Sequence, residues 1–407
     1  MNERARRGPR RGEFDVIVVG AGAAGGALTL ALARDGFKVA LVEVREPTAW
    51  RSEDEVDLRV VALAPDARAL LDDLGAWPAI TQARVSPFQR MCVWDAQAPG
   101  ELRFDATERG EAALGWIIEN KLIQHALWTA LVTPSAAGTA PVLHCPAEIS
   151  ALEEDADGIS VVLGDGTRLR ARVLVSAEGG ESSLRQRLGI TFDGRDYGAR
   201  AVVAHVRSEC AHEGTAWQRF LPTGPLAFLP LVDGRCSIVW SLPEAEAARV
   251  LALDDDAVFC AELGAAFDFR LGPITSVSRR AAFPLRLRLA EQFVRGRCVL
   301  VGDAAHLVHP LAGQGMNLGL RDVSCLRRVL GDARDRGSDL GAWHVLRHFE
   351  RERRSQTTLA ARGFDAIERV FGSSSPPLVA LRGLALTSAG HLSPLRSLLA
   401  DVAAGRL

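Results

Sequence analysis

The chain has 407 residues, 48% of them hydrophobic and 24% charged, which is enough apolar material for two or three packed units. The net charge of −2 and the pI near 6.5 argue against a nucleic-acid-binding protein. The seven cysteines are scattered and form no Cys-x-x-Cys pair, so they indicate reduced thiols in a cytoplasmic protein and imply neither a zinc site nor a disulfide framework.

The amino terminus is rich in arginine. Arg6 and Arg7 precede an apolar run and could suggest a twin-arginine export signal. Glu13 and Asp15 interrupt the start of that run, so we interpret residues 1–13 as a disordered basic tail. Such a tail attracts anionic lipid by up to ~1 kcal/mol per arginine. Outside the glycine-rich segment that follows, no run of roughly 18 apolar residues predicts a membrane span.

The first predicted strand, 14–19, runs into a glycine-rich turn, Gly20-Ala-Gly22-Ala-Ala-Gly25, and then into a helical pattern. This is the dinucleotide-binding fingerprint in its required context. The first glycine permits the tight turn, the second lets a pyrophosphate approach, and the third packs the helix on the strand. We assign these roles to Gly20, Gly22 and Gly25.

Glu43 ends the next predicted strand, 38–43. An acid at this position accepts a hydrogen bond from a ribose 2′-hydroxyl and repels a 2′-phosphate. The bound nucleotide is therefore expected to be FAD or NAD rather than NADP.

The middle of the chain predicts two kinds of structure. Before residue 186, helices and strands alternate as in a nucleotide-binding unit. Beyond it, short apolar strands separated by Pro and Gly predict an antiparallel sheet. In chain order the predicted elements are a helix at 66–74 ended by Gly75, a helix at 120–132, a strand at 141–145, a hairpin around 164–166, strands at 172–176, 201–206, 218–221, 226–232 and 236–241, helices within 243–267, a strand at 273–284, and helices from 341 to the end with a break at 373–377.

The segment 299–320 is the most informative of the chain. An apolar strand leads into Gly302-Asp303, then into a Pro/Gly-rich loop and a helix that begins near Gly315. Such a loop lets backbone N–H groups approach a flat, electron-rich ligand at the positive end of a helix, which is typical of flavin binding. His306 and His309 lie three residues apart, but no third ligand is nearby, so we predict no metal site.

These segments, together with Leu174–Arg185, resemble the three signatures of the single-component flavoprotein aromatic hydroxylases. Further pieces resemble a narrower group, the ubiquinone-biosynthesis hydroxylases, and they cover almost the whole chain: 58–63, 118–128, 226–231, 237–241 and 309–315. Glu119-Asn120 and the stretch 91–95 favour the members that hydroxylate the ring at C5.

The resemblance implies an α/β fold, with a Rossmann-like FAD-binding domain, an inserted antiparallel-sheet substrate domain and a C-terminal helical region. The FAD-binding domain is expected to be discontinuous. The expected division is 14–80, 114–186 and 278–335 for the FAD-binding domain, 81–113 and 187–277 for the substrate domain, and 336–407 for the helical region.

The resemblance also implies FAD as cofactor, NADPH or NADH as co-substrate, and O2. The residues expected to bind the cofactor are Gly20, Gly22, Gly25, Glu43, Arg59, Asn120, Glu178, Gly302, Asp303, Gly313, Gly315, Met316 and Asn317. The backbone N–H groups of Met316 and Asn317 suit the negative edge of the flavin, and Asp303 suits a ribityl hydroxyl or, alternatively, a helix N-cap. Arg59 is otherwise a solvated surface charge. His309 and Pro310 are expected to line the reaction face, where His309 is either a proton-transfer or a packing residue.

One position departs from the family. Glu178-Gly179 stands where the family usually has Asp-Gly, an aspartate tied to both FAD and the pyridine nucleotide. One extra methylene moves a carboxylate by ~1.5 Å, enough to weaken a positioned contact. This departure bears on reduction of the flavin. Either the surrounding backbone is adapted to the longer side chain, or Glu178 is a tolerated weakness, and the local freedom of Gly179-Gly180 favours the second alternative.

The substrate pocket is the least determined part. His205, Gln218, Phe220, Phe228 and Trp240 could face the flavin, or could equally be core or surface residues. Tyr197 is the single tyrosine, so a phenol-binding tyrosine cluster is absent and an apolar pocket is favoured.

The sequence therefore predicts an FAD-dependent monooxygenase that hydroxylates a polyprenylated phenol in ubiquinone biosynthesis. We expect it to be cytoplasmic and in peripheral contact with the inner membrane, and a ubiquinone-biosynthesis complex is a candidate partner. Two alternatives stay open: a hydroxylase of a soluble aromatic natural product, and a non-catalytic flavoprotein that organises such a complex.

Overall fold

The computed structural model describes residues 13–133, 138–307, 314–373 and 375–389. In these ranges the strands are β1 (Glu13–Val19), β2 (Val39–Val42), β3 (Val60–Leu63), β4 (Ser86–Phe88), β5 (Arg90–Asp95), β6 (Glu101–Asp105), β7 (Gly115–Glu119), β8 (Val142–His144), β9 (Ile149–Glu154), β10 (Ile159–Leu163), β11 (Arg168–Ser176), β12 (Phe192–Ser208), β13 (Thr215–Leu221), β14 (Gly224–Pro230), β15 (Cys236–Pro243), β16 (Ile274–Val277), β17 (Ala281–Ala290), β18 (Val294–Arg295), β19 (Cys298–Leu300) and β20 (His306–Leu307). The helices are α1 (Ala23–Arg34), α2 (Pro65–Asp73), α3 (Trp77–Ala83), α4 (Asn120–Val132), α5 (Ser183–Arg187), α6 (Glu244–Leu251), α7 (Asp256–Ala266), α8 (Gln314–Asp335), α9 (Trp343–Gly372) and α10 (Pro376–Ala389).

The first sheet has a parallel centre in the order β19-β11-β1-β2-β8, extended by β18 and by the hairpin of β9 and β10. Side chains of β1 alternate between its two faces. Val16 and Val18 pack in the core formed with α1, α4 and α8, whereas Ile17 and Val19 pack beneath the β9–β10 hairpin. Because both faces are covered, β1 from Val16 onwards and the whole of β2 are apolar, as parallel strands usually are.

The second sheet is mostly antiparallel, in the order β20-β17-β12-β15-β14-β13-β5-β6, with β16 beside β12. Its strands β13 and β5 pair in parallel. One face packs against α6 and α7 around Phe259 and Phe267. The other face carries a separate apolar cluster that includes Phe220, Ala227 and Leu229. We call this second face of the sheet the inner face, because its residues border the cavity described below.

The third sheet, β3-β7-β4, is small, and its strands β3 and β7 contact helices α8 and α4. The buried side chain of Asn317 on α8 fixes it in place. Its amide donates to the carbonyl of Ala62 and accepts from the N–H of Ala64, both at 2.9 Å. This contact joins β3 to the first turn of α8 across more than half of the chain.

The C-terminal helices reach the second sheet. Phe371 at the end of α9 stacks on Phe220 of β13, with ring centres 4.0 Å apart. The buried Arg382 of α10 donates to the carbonyls of Val370 (2.7 Å) and Phe371 (2.6 Å), and its Nε lies 3.6 Å from the Asp95 carboxylate. It thereby supplies donors to carbonyls at the end of α9, which have no partner within that helix. None of the helices in the described ranges combines the length and apolarity needed to cross a bilayer.

The predicted fold class is confirmed: a parallel Rossmann-like sheet, an antiparallel sheet and C-terminal helices are all present. The predicted strand 273–284 is in fact two strands, β16 and β17, and β17 continues to Ala290 within the second sheet. The division into domains stays a proposal. In terms of strand pairing, residues 281–290 belong with the second sheet and Glu13 begins β1. Residues 1–12 and the part of the helical region beyond 389 lie outside the described residues.

Candidate active site

A cavity of about 940 Å³ lies where the first and second sheets face each other. The turns that follow β1, β2, β11 and β19 line it, so it sits at the carboxyl ends of the parallel strands, the usual ligand position in such sheets. The predicted cofactor residues in its wall are Gly20, Gly22, Glu43, Arg59, Asn120, Glu178, Gly302, Asp303, Gly315 and Met316. His309, Pro310 and Gly313 lie outside the described residues.

The three fingerprint glycines differ in what a side chain at each position would meet. Gly20 has φ +101°, and a Cβ there would lie 2.5 Å from the carbonyl oxygen of Ala177. A Cβ on Gly25 would lie 1.9 Å from the carbonyl oxygen of Gly20, so Gly25 is needed for packing. Gly22 lines the cavity, and a Cβ there would meet no protein atom within 4 Å. The space beside Gly22 is therefore open for a ligand.

Glu43 is held beside the glycine turn. Its carboxylate accepts hydrogen bonds from the backbone N–H groups of Ala21 and Arg45. These contacts orient the acid at the cavity wall, close to the turn expected to hold a pyrophosphate. Its contact with a ribose hydroxyl stays a prediction.

Arg59 and Asn120 are adjacent, although 61 positions separate them in the sequence. The N–H of Asn120 donates to the carbonyl of Arg59 at 2.9 Å, where β3 meets β7. The Arg59 guanidinium lies 4.6 Å from the ring centre of Phe283 on β17. Arg59 therefore contacts the second sheet beside the cavity. Its side chain is exposed, so both its cofactor contact and the alternative of a solvated surface charge stay predictions.

The Glu178 carboxylate has a structural role within its own turn that the family resemblance does not suggest. Its carboxylate accepts hydrogen bonds from the hydroxyls of three serines and from a backbone N–H at the start of α5. The donors are Ser176 (3.1 Å), Ser182 (2.6 Å), Ser183 (2.8 Å) and Leu184 N–H (3.0 Å). Its longer side chain is thus accommodated by a serine cluster, which the run Glu-Ser-Ser at 181–183 could have suggested.

Asp303 lies in a 3₁₀ turn, Gly302–Ala304, and lines the cavity. Although open to the cavity, the carboxyl lies deep among protein atoms. Burial raises its pKa above the usual value, against the opposing effect of His306 and Arg59. A carboxyl in such a place gains from a hydroxyl partner that replaces lost water, as the predicted ribityl contact would provide.

A buried ionic network supports this turn from behind. Asp322 of α8 accepts from Gly302 N–H (2.8 Å), His306 Nε2 (2.6 Å) and Arg353 Nε (2.7 Å). Arg353 also donates to the carbonyl of Leu318 at 3.2 Å. Burial alone would raise the pKa of Asp322, but His306 and Arg353 outweigh it, so this pKa is lowered and the carboxylate is ionised.

Sequence reasoning missed this network. The available signal was an acid on the buried side of α8, since Leu318, Asp322 and Leu326 recur at helical spacing. The network also accounts for His306, which is fully buried and bonded to Asp322. Within the described ranges, no group of three or more possible metal-ligating side chains occurs.

The second sheet supplies the apolar part of the wall: Ala201, Val203, Val239, Phe283, Pro284 and Leu285. Of the proposed substrate-pocket residues, His205, Gln218 and Phe220 lie on the inner face. Phe228 and Trp240 lie on the opposite face: Phe228 stacks on Phe267 at 3.7 Å, and Trp240 packs on Phe259. The interpretation that these two could face the flavin is therefore wrong.

The described residues fit FAD. The open space beside Gly22, the acid that follows β2, and the first turn of α8 at Gly315 and Met316 all border one cavity. Unpaired N–H groups in the first turn of a helix favour negative charge. The cavity volume is near the upper end of the range typical for bound cofactors.

Comparisons with known proteins agree. A family model described as "FAD binding domain" matches residues 13–359. The chain is 36% identical over 382 residues to the 3-demethoxyubiquinol 3-hydroxylase of Escherichia coli, covering 94% of this chain and 96% of that protein. It is 37% identical over 393 residues to the ubiquinone hydroxylase UbiL of Rhodospirillum rubrum, covering 97% and 90%.

Among solved structures, p-nitrophenol 4-monooxygenase PnpA from Pseudomonas putida is similar in fold. Its TM-score is 0.75 at 20% identity, with 97% of this chain and 98% of that chain covered.

We predict that Gly22→Val keeps the fold but loses FAD. The free energy of unfolding of the FAD-free protein should change by less than about 1 kcal/mol, because the new side chain enters open space. The purified variant should lack the visible absorbance of flavin. Gly331→Val on α8, also without a protein neighbour within 4 Å, is the control and should stay yellow. A fully FAD-loaded Gly22→Val protein would contradict the placement of the pyrophosphate.

Proposed function

Because this chain belongs to the family of FAD-dependent hydroxylases of ubiquinone biosynthesis, we propose that it hydroxylates the aromatic ring of a polyprenylated phenol. NADPH or NADH is the reductant and O2 the source of the inserted oxygen atom. Two relatives that are similar over almost their whole length carry the names of ubiquinone-pathway hydroxylases. The proposal applies their type of substrate to this chain.

One structural observation supports the proposal most strongly: the cofactor wall and an apolar wall border the same cavity. Gly22 and Asp303 lie on one side, and Val203, Val239 and Phe283 on the other. An aromatic ring with an isoprenoid tail is apolar over most of its surface, so burial against these side chains favours its binding.

The cofactor and the residues of the chain have different roles in the proposed reaction. Bound FAD, once reduced, supplies the activated oxygen that the ring receives. The first turn of α8 places N–H groups where negative charge on the flavin can be stabilised. Arg59 spans from the nucleotide side to the second sheet and helps to close the cavity against water.

The ring position is proposed to be C5, on the resemblance alone. Of the residues behind that preference, Asn120 lines the cavity. Residues 91–95 belong to β5, which does not line it. The Glu119 carboxylate instead accepts hydrogen bonds from Trp50 Nε1 (3.1 Å) and the Asp57 N–H (2.7 Å).

We further propose peripheral contact with the cytoplasmic side of the inner membrane, with a biosynthetic complex as a candidate partner there. Leu378, Leu381 and Leu384 of α10 form an exposed stripe at helical spacing, 37%, 62% and 70% exposed. Leu386 of the same helix is buried against the inner face of the second sheet, so it faces the protein and is not part of the stripe. A stripe of this kind suits insertion into the lipid boundary.

The function is tested with purified FAD-loaded enzyme and two substrate sets, prenylated phenols and water-soluble phenols. We expect prenylated phenols to stimulate NAD(P)H oxidation and to gain one oxygen atom by mass spectrometry. Turnover of the water-soluble set alone would instead indicate a hydroxylase of soluble aromatics. Absence of turnover with both sets would favour the non-catalytic flavoprotein. The quinone precursor that accumulates in a deletion strain identifies the ring position.

Membrane contact is tested by sedimentation with anionic lipid vesicles. The variant Leu381→Glu/Leu384→Glu should bind at least roughly tenfold more weakly, because two apolar side chains no longer leave water and two charges are added. Leu359→Glu on α9, where the leucine is 72% exposed and lies outside the stripe, is the control. Equal binding of all three proteins would exclude α10 as the contact.

Glu178→Asp is expected to slow flavin reduction by NADPH and to destabilise the fold by about 1–2 kcal/mol. The shorter side chain cannot keep all four donors, which include a backbone N–H at the start of α5. Stopped-flow reduction and denaturant unfolding measure the two effects. Glu153→Asp, an exposed carboxylate on β9, should change neither. Faster reduction at unchanged stability would mean that the family aspartate performs this step better and that the serine cluster is incidental.

A further inference from the structure

Two polar side chains stand at the end of the apolar cavity wall. Val203 of β12 and Val239 of β15 are directly paired and both line the cavity. The next pair on the same face is His205 and Ser237. Alternate residues of a strand lie about 7 Å apart, so this polar pair follows the cavity wall by one step.

Both side chains are buried and each has an unused polar atom. His205 is 2% exposed and Ser237 1% exposed. His205 Nε2 lies 3.3 Å from the Val56 carbonyl oxygen and 3.2 Å from that of Asp57. Carbonyls only accept, so Nε2 carries the proton and Nδ1 is left as an acceptor. Neither Nδ1 nor Ser237 Oγ has a hydrogen-bond partner among the described residues.

The imidazole is uncharged at neutral pH. Burial lowers the pKa of His205, and the nearby Arg235 lowers it further, against weaker opposing effects that include the two carbonyls and Asp233. The pair is therefore a neutral acceptor beside a hydroxyl, within an inner face that is otherwise apolar around Val56, Leu229 and Leu231.

Unsatisfied buried polar atoms destabilise a fold, and two of them on directly paired residues need a reason. Neither residue lines the cavity, but both lie one step along their strands from residues that do, and the segment that covers His205 also reaches it. Val56 and Asp57 hold the imidazole, while the next two residues, Leu58 and Arg59, line the cavity. Cavity-lining residues therefore neighbour the polar pair on both strands and on the covering segment 56–59.

We propose that His205 and Ser237 determine specificity by binding the phenolic hydroxyl of the substrate. This inference rests on the proposed function and adds the recognition of one group. A phenol O–H donates to Nδ1 of His205, while its oxygen accepts from the Ser237 hydroxyl. A methyl ether at the same ring position can accept but not donate, so it leaves Nδ1 unpaired.

The test uses FAD-loaded protein and two ligands, a phenol with a short isoprenoid tail and its methyl ether. Affinities are read from the change in flavin fluorescence on titration. We expect wild type to bind the phenol roughly tenfold more tightly than the ether. His205→Gln keeps an amide N–H for the Val56 and Asp57 carbonyls but lacks Nδ1, and it should bind the two ligands equally. Ser237→Ala removes a donor that both ligand oxygens accept from, so it should weaken the binding of both ligands and keep the preference for the phenol.

Ser276→Ala, an exposed serine on the edge strand β16, is the control and should keep the wild-type preference. Ser237→Ala removes one oxygen atom and tests the pair through weaker binding of both ligands if His205→Gln does not fold. A His205→Gln variant that keeps the tenfold preference, or a Ser237→Ala variant that binds both ligands as tightly as wild type, would overturn the inference and would mean that the pair holds only a structural water. Equal binding of both ligands by wild type would overturn it as well while leaving the proposed function intact. Binding of neither ligand, together with no turnover, would remove the proposed function itself.

Discussion

The buried carboxylate of Asp322 is the constraint on which the cofactor site depends. An ionised carboxylate without partners cannot remain inside a protein, because the loss of water costs several kcal/mol. Three donors from three separate elements satisfy it: a backbone N–H in the turn after β19, the imidazole of β20 and the guanidinium of α9. Removing any one would leave charge uncompensated, so these elements have one low-energy arrangement relative to α8.

That arrangement determines where the cofactor residues stand. Gly302 has a positive φ of +61°, and a Cβ there would lie 3.2 Å from Ala24 Cβ, so the turn packs closely on α1. Its N–H is bound to Asp322, and Asp303 next to it is thereby directed into the cavity. On the same helix, Asn317 holds β3 and so brings Arg59, at the start of that strand, to the opposite wall. One helix thus sets two sides of the cavity through polar contacts that face away from it.

The parts of this molecule that the sequence predicts are those whose causes are local. The glycine turn, the acid after β2 and the helix at 120–132 follow from residues close together in the chain, and the structure has all three. The orientation of Phe228 and Trp240 could not be predicted in this way. Alternation says which residues of one strand share a face, but the register between β14 and β15 and the packing against α7 decide which face each residue takes. The partners of Asp322 and the stacking of Phe371 on Phe220 are equally non-local.

The long separation between partners has a consequence for biosynthesis of the protein. The first fingerprint residues leave the ribosome early, but β11, β19 and Asp322, which complete their surroundings, follow roughly 150 to 300 residues later. At about 5–20 residues per second, the glycine turn waits on the order of 15–60 s for the last of these partners. The cofactor pocket cannot exist on the nascent chain before then, so FAD is taken up by a nearly or fully synthesised protein. A shortage of FAD would accordingly leave behind a complete chain with an empty pocket rather than a stalled, half-folded one.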